Sequence, residues 1–259
     1  MKHLFSFFAA IFIATVAHAD VLGQYSFEGK LGTKIFVELK FAINGDDIAV
    51  GEVLYPNAKH PAPILVVGIY DEDSERVDMK EFTEDGTVTG IWSFKVEGDG
   101  TEASLTDGVW TNPQTEKTFT MNNFRPNDEF VDIPKYLDYE DPQNIGREYS
   151  YSIYNPRYKS MMGGTVKFRG AGKWKLHFEV SNCPGNIAEG KSEPGRPAVL
   201  GEATHDYFYY DNVNECGYSF GAYFFKKFVV LVSTSTKPEA FQCFGMGVAF
   251  DGVYMKVKQ

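Results

Sequence analysis

The sequence has few cysteines, few histidines and a deficit of basic charge, and each shortage excludes a class of protein. Its 259 residues include 3 cysteines and 5 histidines, without the short spacing that a zinc module requires. Acidic residues outnumber basic ones, 35 to 25, for a formal net charge of −10. Because nucleic-acid binding needs lysine and arginine to displace counterions from phosphates, no nucleic-acid partner is expected.

Long apolar runs are absent after the first nineteen residues, so no helical membrane span is expected. The chain begins with a basic start, an apolar run over 4–16 and the small-x-small sequence Ala17-His18-Ala19 before Asp20. These features are typical of an export signal, residues 1–19, cleaved after Ala19. We therefore expect the mature protein, 20–259, to be periplasmic or secreted.

The three cysteines all lie in the C-terminal half of the chain. In an oxidising compartment two of them are expected to form a disulfide and the third to be left over. Cys216 with Cys243 is the favoured pair, because each flanks the same two predicted strands. Cys183 lies in a predicted turn, and the alternative is that it replaces one of the other two.

Helical spacing is absent, and apolar residues instead alternate with polar ones at a period of two. Turn sequences such as Asn44-Gly45 and Asp85-Gly86 separate these runs at intervals too short for crossover helices. The sequence therefore predicts an all-β protein of antiparallel sheets. Eight strands are predicted in the first half, at about 24–29, 34–43, 48–55, 63–70, 75–82, 87–96, 103–111 and 117–124.

The pattern divides the chain into two antiparallel β domains joined by a linker. Residues 20–124 are predicted to form an up-and-down, eight-stranded, barrel-like meander, and 148–259 an aromatic-rich β-barrel or sandwich. The linker, 125–147, is rich in proline and acidic residues. Consecutive aromatic residues in the second domain must point to both faces of a strand, so some are either in a sheet-on-sheet core or exposed.

Charge is distributed unequally between these segments. Residues 20–124 contain 19 acidic and 8 basic residues, whereas 148–259 contain 10 and 13. The acidic turn of Asp71, Glu72, Asp73 and Glu75 gives a candidate binding surface for a basic partner. The turn lacks the residue order of a helical calcium loop, so we interpret it as solvated and expect no metal.

Catalytic patterns are weak throughout the chain. The sequence Gly217-Tyr218-Ser219-Phe220-Gly221 matches a nucleophile elbow, but a strand-like run follows it instead of a helix. Glu38, Glu81 and Glu179 lie on predicted strands, where carboxylates usually face water. No phosphate-binding glycine loop, redox Cys-x-x-Cys or dinucleotide fingerprint is present, so neither catalysis nor a cofactor is expected.

Several short motifs resemble a pattern found in exported bacterial β-proteins of unknown function. The segment 25–32 resembles that pattern's "Tyr-x-Gly-x-hydrophobic-Gly" element, Glu81-Phe82 its "Glu-Phe" element and Gly108-Val109-Trp110 its "Gly-x-Trp" element, with Gly90 between the last two. The acidic barrel is also similar in a general way to periplasmic inhibitors of lysozyme, although their loop motifs are not found here. The resemblance implies a small exported barrel.

The leading hypothesis is a non-enzymatic binding protein of the cell envelope, in its sharper form an inhibitor or immunity-type protein that acts on a basic protein. One alternative is a carrier that holds a small ligand inside the barrel. A third hypothesis is an envelope hydrolase that uses distant carboxylates.

Overall fold

The computed structural model describes residues 21–98, 102–127, 146–172, 175–183, 190–191, 207–212, 218–236 and 251–257. Strands dominate this part of the chain, which confirms the all-β prediction. None of the helical structure in these segments has the length and apolar character needed to cross a bilayer.

The first eight strands form a closed barrel with an up-and-down topology. Each strand pairs antiparallel with the next, and the eighth returns to pair with the first. This closure confirms the predicted eight-stranded meander. The strands are β1 (Val21–Leu31), β2 (Ile35–Asn44), β3 (Ile48–Leu54), β4 (Ile64–Asp71), β5 (Arg76–Phe82), β6 (Thr87–Glu97), β7 (Ser104–Thr111) and β8 (Thr118–Pro126).

The period-two alternation places one set of side chains inside the barrel. On β6, Trp92, Phe94 and Val96 are buried in the interior, as the sequence predicts, while the residues between them are partly exposed. The tight turn before β6 depends on Gly86, whose φ of 86° lies in the left-handed region that favours glycine.

The interior of the barrel is filled by large side chains. Phe41 packs between Tyr25, with ring centroids 4.9 Å apart, and Phe94, at 5.5 Å. Leu39 and Val77 are among the aliphatic residues that pack with these rings in the same core. The described interior is therefore a packed core.

The remaining strands continue the sheet beyond the barrel. They run in the order β13-β14-β15-β16-β9, and β10, β11 and β12 follow on the other side of β9. Their bounds are β9 (Gly146–Asn155), β10 (Ser160–Gly172), β11 (Lys175–Cys183), β12 (Gly190–Lys191), β13 (Tyr207–Asn212), β14 (Tyr218–Phe224), β15 (Phe228–Thr236) and β16 (Gly252–Lys256).

A short parallel pairing joins the two halves of the chain. Thr87 and Val88 of β6 pair with Ser152 and Ile153 of β9, and the other strand pairs of the described residues are antiparallel. The barrel is antiparallel throughout, as predicted, and this two-residue parallel pairing occurs only at the junction of the two halves in the described part of the chain. The bounds of the two predicted domains remain a prediction, and residues 128–145 of the predicted linker lie outside the described residues.

A second core forms where the later strands pack against the outer wall of the barrel. Phe225, Phe228 and Val230 join Val67 and Phe82 of the barrel in one buried cluster. Phe225 and Phe228 stack at 4.6 Å between ring centroids. The outer wall of the barrel is thus buried on this side.

Strand β14 is buried on both faces, as its run of aromatic residues suggested. Phe224 packs edge-on to Phe168, with centroids 4.8 Å apart, and lies near Tyr149 at 6.5 Å. The adjacent Phe225 belongs to the core against the barrel. The consecutive aromatics therefore occupy two cores.

Candidate functional site

Three hairpin turns and the strand ends beside them bring eight carboxylates to one end of the barrel. In an antiparallel meander alternate turns share an end, so the β2–β3, β4–β5 and β6–β7 turns lie together. The described residues between the strands include no lysine or arginine, and Arg76, the first residue of β5, directs its guanidinium to Ser93 Oγ and the Asp107 carbonyl. We call this surface the acidic end; its carboxylates belong to Asp46, Asp47, Asp71, Glu72, Asp73, Glu75, Glu97 and Glu102.

Backbone hydrogen bonds join the first two turns to neighbouring strands. The amide of Tyr70 donates to the carbonyl of Asp47 at 2.7 Å, which joins the first turn to strand β4. The amide of Val96 donates to the carbonyl of Glu75 at 3.1 Å, which joins the second turn to β6. These bonds fix the positions of Asp47 and Glu75 relative to the strands beside them.

Each of the first two turns is also stabilised from within. The side-chain oxygen of Asn44 accepts hydrogen bonds from the amides of Asp46, at 3.1 Å, and Ile48, at 2.9 Å. Asp71 Oδ1 accepts in the same way from the amides of Asp73, at 3.0 Å, and Ser74, at 3.3 Å. Such local bonds are the usual reason that Asn and Asp favour turns.

The carboxylates of the acidic end affect one another. Burial raises the pKa of Asp47 above its ordinary value, and the negative charges of Glu72, Asp46 and Asp71 raise it further. Burial is also the main reason that the pKa of Tyr70 is raised, with Glu75 the largest charge acting on it. The β2–β3 and β4–β5 turns are therefore close enough for their negative charges to interact.

The structure places the four predicted binding residues on the exposed part of this end. Asp71, Glu72, Asp73 and Glu75 are all exposed. Sequence reasoning missed the contributions of the β2–β3 and β6–β7 turns. The signal was available, because alternate turns of a meander must fall at the same end. In the described part of the chain, no group of three His, Cys, Asp or Glu residues is arranged to hold a metal ion.

Glu81 differs most from expectation, because it faces the barrel interior and is only 2% exposed. Its Oε1 accepts hydrogen bonds from the indole N–H groups of Trp92 and Trp110, each at 2.9 Å, and from the Tyr55 hydroxyl. Its Oε2 accepts from Thr89 Oγ1 at 3.2 Å. The prediction that Glu81 faces water is wrong, and its position in phase with the inward-facing Val77 and Met79 explains why.

The residues around Glu81 leave it little freedom to react. A Cβ atom at Gly90 would lie 2.4 Å from Trp110 Nε1 and 2.6 Å from the Glu81 carboxylate, so this side of the cluster is closed. Burial, followed by the charge of Glu81 and the hydrogen bond to it, raises the pKa of Tyr55, which remains a donor. The cluster acts as a polar cross-link of the barrel wall.

The other candidate catalytic residues do not assemble into a site. Glu38 lies between the inward-facing Val37 and Leu39 and is directed outward, so it does not face Glu81 across a cleft. Ser219 is fully buried on strand β14, where no nucleophile elbow forms. His60 is exposed in the β3–β4 loop.

Several predicted residues fall outside what the structure describes. Residues 1–20, with the predicted signal, are among them, as are Cys216 and Cys243 of the predicted disulfide and His205. Cys183, His177 and Glu179 lie on β11, but their side chains are outside the described part. The disulfide stays a prediction.

The fold and site define an all-β protein built around a closed eight-stranded antiparallel barrel with one acidic end. No known protein family matches the chain, and no curated protein or solved structure is significantly similar to it.

Proposed function

We propose that the chain is an exported binding protein of the cell envelope whose acidic end contacts a basic protein partner. The observation that carries this proposal is the clustering of eight carboxylates on three neighbouring turns and the strand ends beside them. The described residues between the strands include no lysine or arginine, and Arg76, at the start of β5, donates to Ser93 Oγ and to the Asp107 carbonyl. An inhibitor or immunity-type role is the sharper form of the proposal.

The geometry of the acidic end suits electrostatic recognition. Carboxylates of one sign on a protein surface steer an oppositely charged partner and accelerate its association. Because the β2–β3 and β4–β5 turns are fixed by hydrogen bonds, little conformational entropy is lost from them on binding. The opposite end of the barrel carries mixed charge, with Lys34, Lys59 and Lys117 in its turns. A basic partner is therefore expected to bind at the acidic end and not at the opposite one.

The alternatives receive less support from the same structure. A small-ligand carrier needs room inside the barrel, whereas the described interior is filled by Phe41, Phe94, Trp92 and their neighbours. An envelope hydrolase needs two carboxylates facing each other across a cleft, and Glu38 and Glu81 lie on opposite faces of the barrel wall.

The test is affinity capture of basic proteins from envelope extract and secretions, with residues 20–259 as bait, at low and high salt. The test variant combines Asp71→Asn, Glu72→Gln, Asp73→Asn and Glu75→Gln. A matched control removes the same charge from the barrel wall and the far end, through Glu28→Gln, Glu38→Gln, Glu52→Gln and Glu116→Gln.

We expect the wild type and the control to retain a basic protein at low salt and to release it at high salt. The test variant should bind that protein about 30-fold more weakly, since four charges at about 0.5 kcal/mol each contribute about 2 kcal/mol. Equal losses in both variants would mean that net charge alone attracts the partner. Capture that is insensitive to salt and to the test variant would refute the proposal.

A further inference from the structure

Two open cavities flank the β5–β6 turn, at the end of the barrel opposite the acidic end. Each has a volume of about 340 Å³, and Asp85 and Ser150 line both of them. This volume falls in the range of small-molecule binding sites, which begins at about 300 Å³. The two cavities together could hold two adjoining units of one ligand.

The turn between the cavities is held rigidly. The Thr83 amide donates to the Thr87 carbonyl, and the Gly86 amide to the Thr83 carbonyl, both at 3.0 Å. Asp85 Oδ1 accepts from the Thr87 amide at 3.1 Å and from the Thr83 hydroxyl. These bonds, that from Thr83 foremost, lower the pKa of Asp85, so its exposed carboxylate is an acceptor at neutral pH.

Close contact with strand β9 fixes the position of this turn. The Ser152 amide donates to the Gly86 carbonyl at 2.9 Å. A Cβ atom at Gly86 would lie 2.7 Å from the carbonyl oxygen of Ser150, so the two backbones touch. The Asp85 carboxylate is thereby preorganised beside the β9–β10 surface.

The first cavity combines a carboxylate with several hydroxyl groups. A carboxylate accepts hydrogen bonds only, whereas serine and threonine hydroxyls both donate and accept, and a ligand rich in hydroxyls can satisfy both kinds of group. Gly163 of β10 packs directly on β9, since a Cβ atom there would lie 2.1 Å from the carbonyl oxygen of Tyr151. The lining consists of Asp85, Ser150, Tyr151, Ser152, Gly163, Gly164 and Thr165.

The second cavity indicates a ligand without strong charge. Glu84 and Asp85 line it, together with Lys256 and Val257. The two carboxylates would repel a phosphate or carboxylate ligand, and the ammonium group of Lys256 offsets their attraction for a cation. A neutral ligand avoids both penalties.

We propose that the paired cavities bind a neutral saccharide, with Asp85 accepting hydrogen bonds from neighbouring hydroxyls of one sugar unit. The adjoining unit occupies the second cavity beside Lys256. This site lies at the other end of the barrel from the acidic end, so it is independent of the proposed protein partner.

The experiment is calorimetric titration of the full protein with maltotetraose, cellotetraose and chitotetraose, each separately. Asp85→Asn keeps an oxygen for the turn but removes the charge, and Thr165→Val removes one hydroxyl without changing the side-chain shape. Thr120→Val, on the exposed wall of β8, is the matched control.

We expect at least one tetrasaccharide to bind the wild type and the Thr120→Val control equally. Asp85→Asn should weaken that binding by about tenfold, because a neutral hydrogen bond replaces a charge-assisted one. Thr165→Val should weaken it by about threefold to tenfold. Ser152→Ala replaces Asp85→Asn if circular dichroism shows that the latter is misfolded. Absence of binding by all three sugars at millimolar concentration, or unchanged affinity in the cavity variants, would overturn the proposal.

Discussion

At the scale of single residues, the buried Glu81 carboxylate is the acceptor that satisfies the hydrogen-bond donors inside the barrel. It gives Trp92, Trp110 and Tyr55 a common acceptor. Without it, the two buried indole N–H groups and the partly buried Tyr55 hydroxyl would lose their common acceptor, and a buried donor left unsatisfied costs about 1–3 kcal/mol. The glutamate therefore contributes to stability through the donors that it satisfies.

Glu81→Leu should lower the free energy of unfolding by about 3 kcal/mol or more, because the indole and phenol donors lose their acceptor. Glu81→Gln should cost less, since the amide oxygen can still accept from both indoles. Urea unfolding followed by tryptophan fluorescence measures both. A Glu81→Leu protein as stable as the wild type would show that water or rearranged groups satisfy these donors.

The crowded position of Asp47 makes a prediction about pH. Its pKa is raised in the folded protein, so its charge opposes folding at pH values above that raised pKa. The penalty is absent below the ordinary value of 3.8, where the side chain is protonated in both states. The contribution of Asp47 to the free energy of unfolding therefore falls as the pH rises from 3.8 through the raised pKa of the folded protein.

Asp47→Asn should accordingly stabilise the protein at pH 7, by no more than about 0.5 kcal/mol because solvent screens the turn. The gain should vanish near pH 3. Asparagine also tolerates the positive φ of 59° at this position. Denaturant midpoints at the two pH values measure the difference, and an equal gain at both would assign the effect to the backbone and not to charge.

At the scale of strands, the eight barrel strands could be predicted from the sequence because the period-two pattern and the tight turns agree with each other. The bounds differ from prediction by a few residues at most, as at β1, which extends to Val21–Leu31. The inward position of Glu81 follows from the same periodicity, because Glu81 alternates in register with Val77 and Met79. The general rule that strand carboxylates face water predicts the opposite orientation, and here the alternation decides.

Two glycines allow neighbouring barrel strands to approach closely. A Cβ atom at Gly51 would lie 1.9 Å from the carbonyl oxygen of Lys40 on β2. A Cβ atom at Gly68 would lie 1.8 Å from the carbonyl oxygen of Asp78 on β5. Both obstacles are backbone atoms, so a side chain at either position must displace a strand.

Gly51→Ala and Gly68→Ala should each destabilise the protein by about 2–3 kcal/mol, which is typical of overpacking. Gly45→Ala, in an exposed turn, serves as the control and should change stability by less than about 0.5 kcal/mol. Thermal unfolding followed by circular dichroism compares the three. If all three alanines have similar small effects, the strands can separate at little cost.

At the scale of the whole molecule, the outer wall of the barrel and the later strands share a core. The sequence could not place this contact, because β14 and β15 carry apolar residues on both faces and alternation does not identify their partners. Only the folded structure shows that Phe225 and Phe228 bury the outward side chains of Val67 and Phe82.

Phe228→Ala should lower the free energy of unfolding by about 3–5 kcal/mol, the usual cost of emptying a buried phenylalanine site. Because the cavity borders the barrel, the signal from barrel tryptophans should move with the circular dichroism signal. Tyr158→Ala, an exposed aromatic truncation, is the control. Tryptophan signals that keep their wild-type midpoint in Phe228→Ala would show that the barrel unfolds independently.

Because Trp92 and Trp110 share one acceptor inside the barrel, exchange of their indole protons can report how often the barrel opens around Glu81. The indole protons of Trp92 and Trp110 lie in hydrogen bonds to one buried oxygen, and solvent reaches them when that end of the barrel opens. Their hydrogen–deuterium exchange rates should therefore be slow and closely similar, and the ratio to the rate of free indole gives the opening equilibrium. Two clearly different rates would mean that the indoles are released in separate local fluctuations.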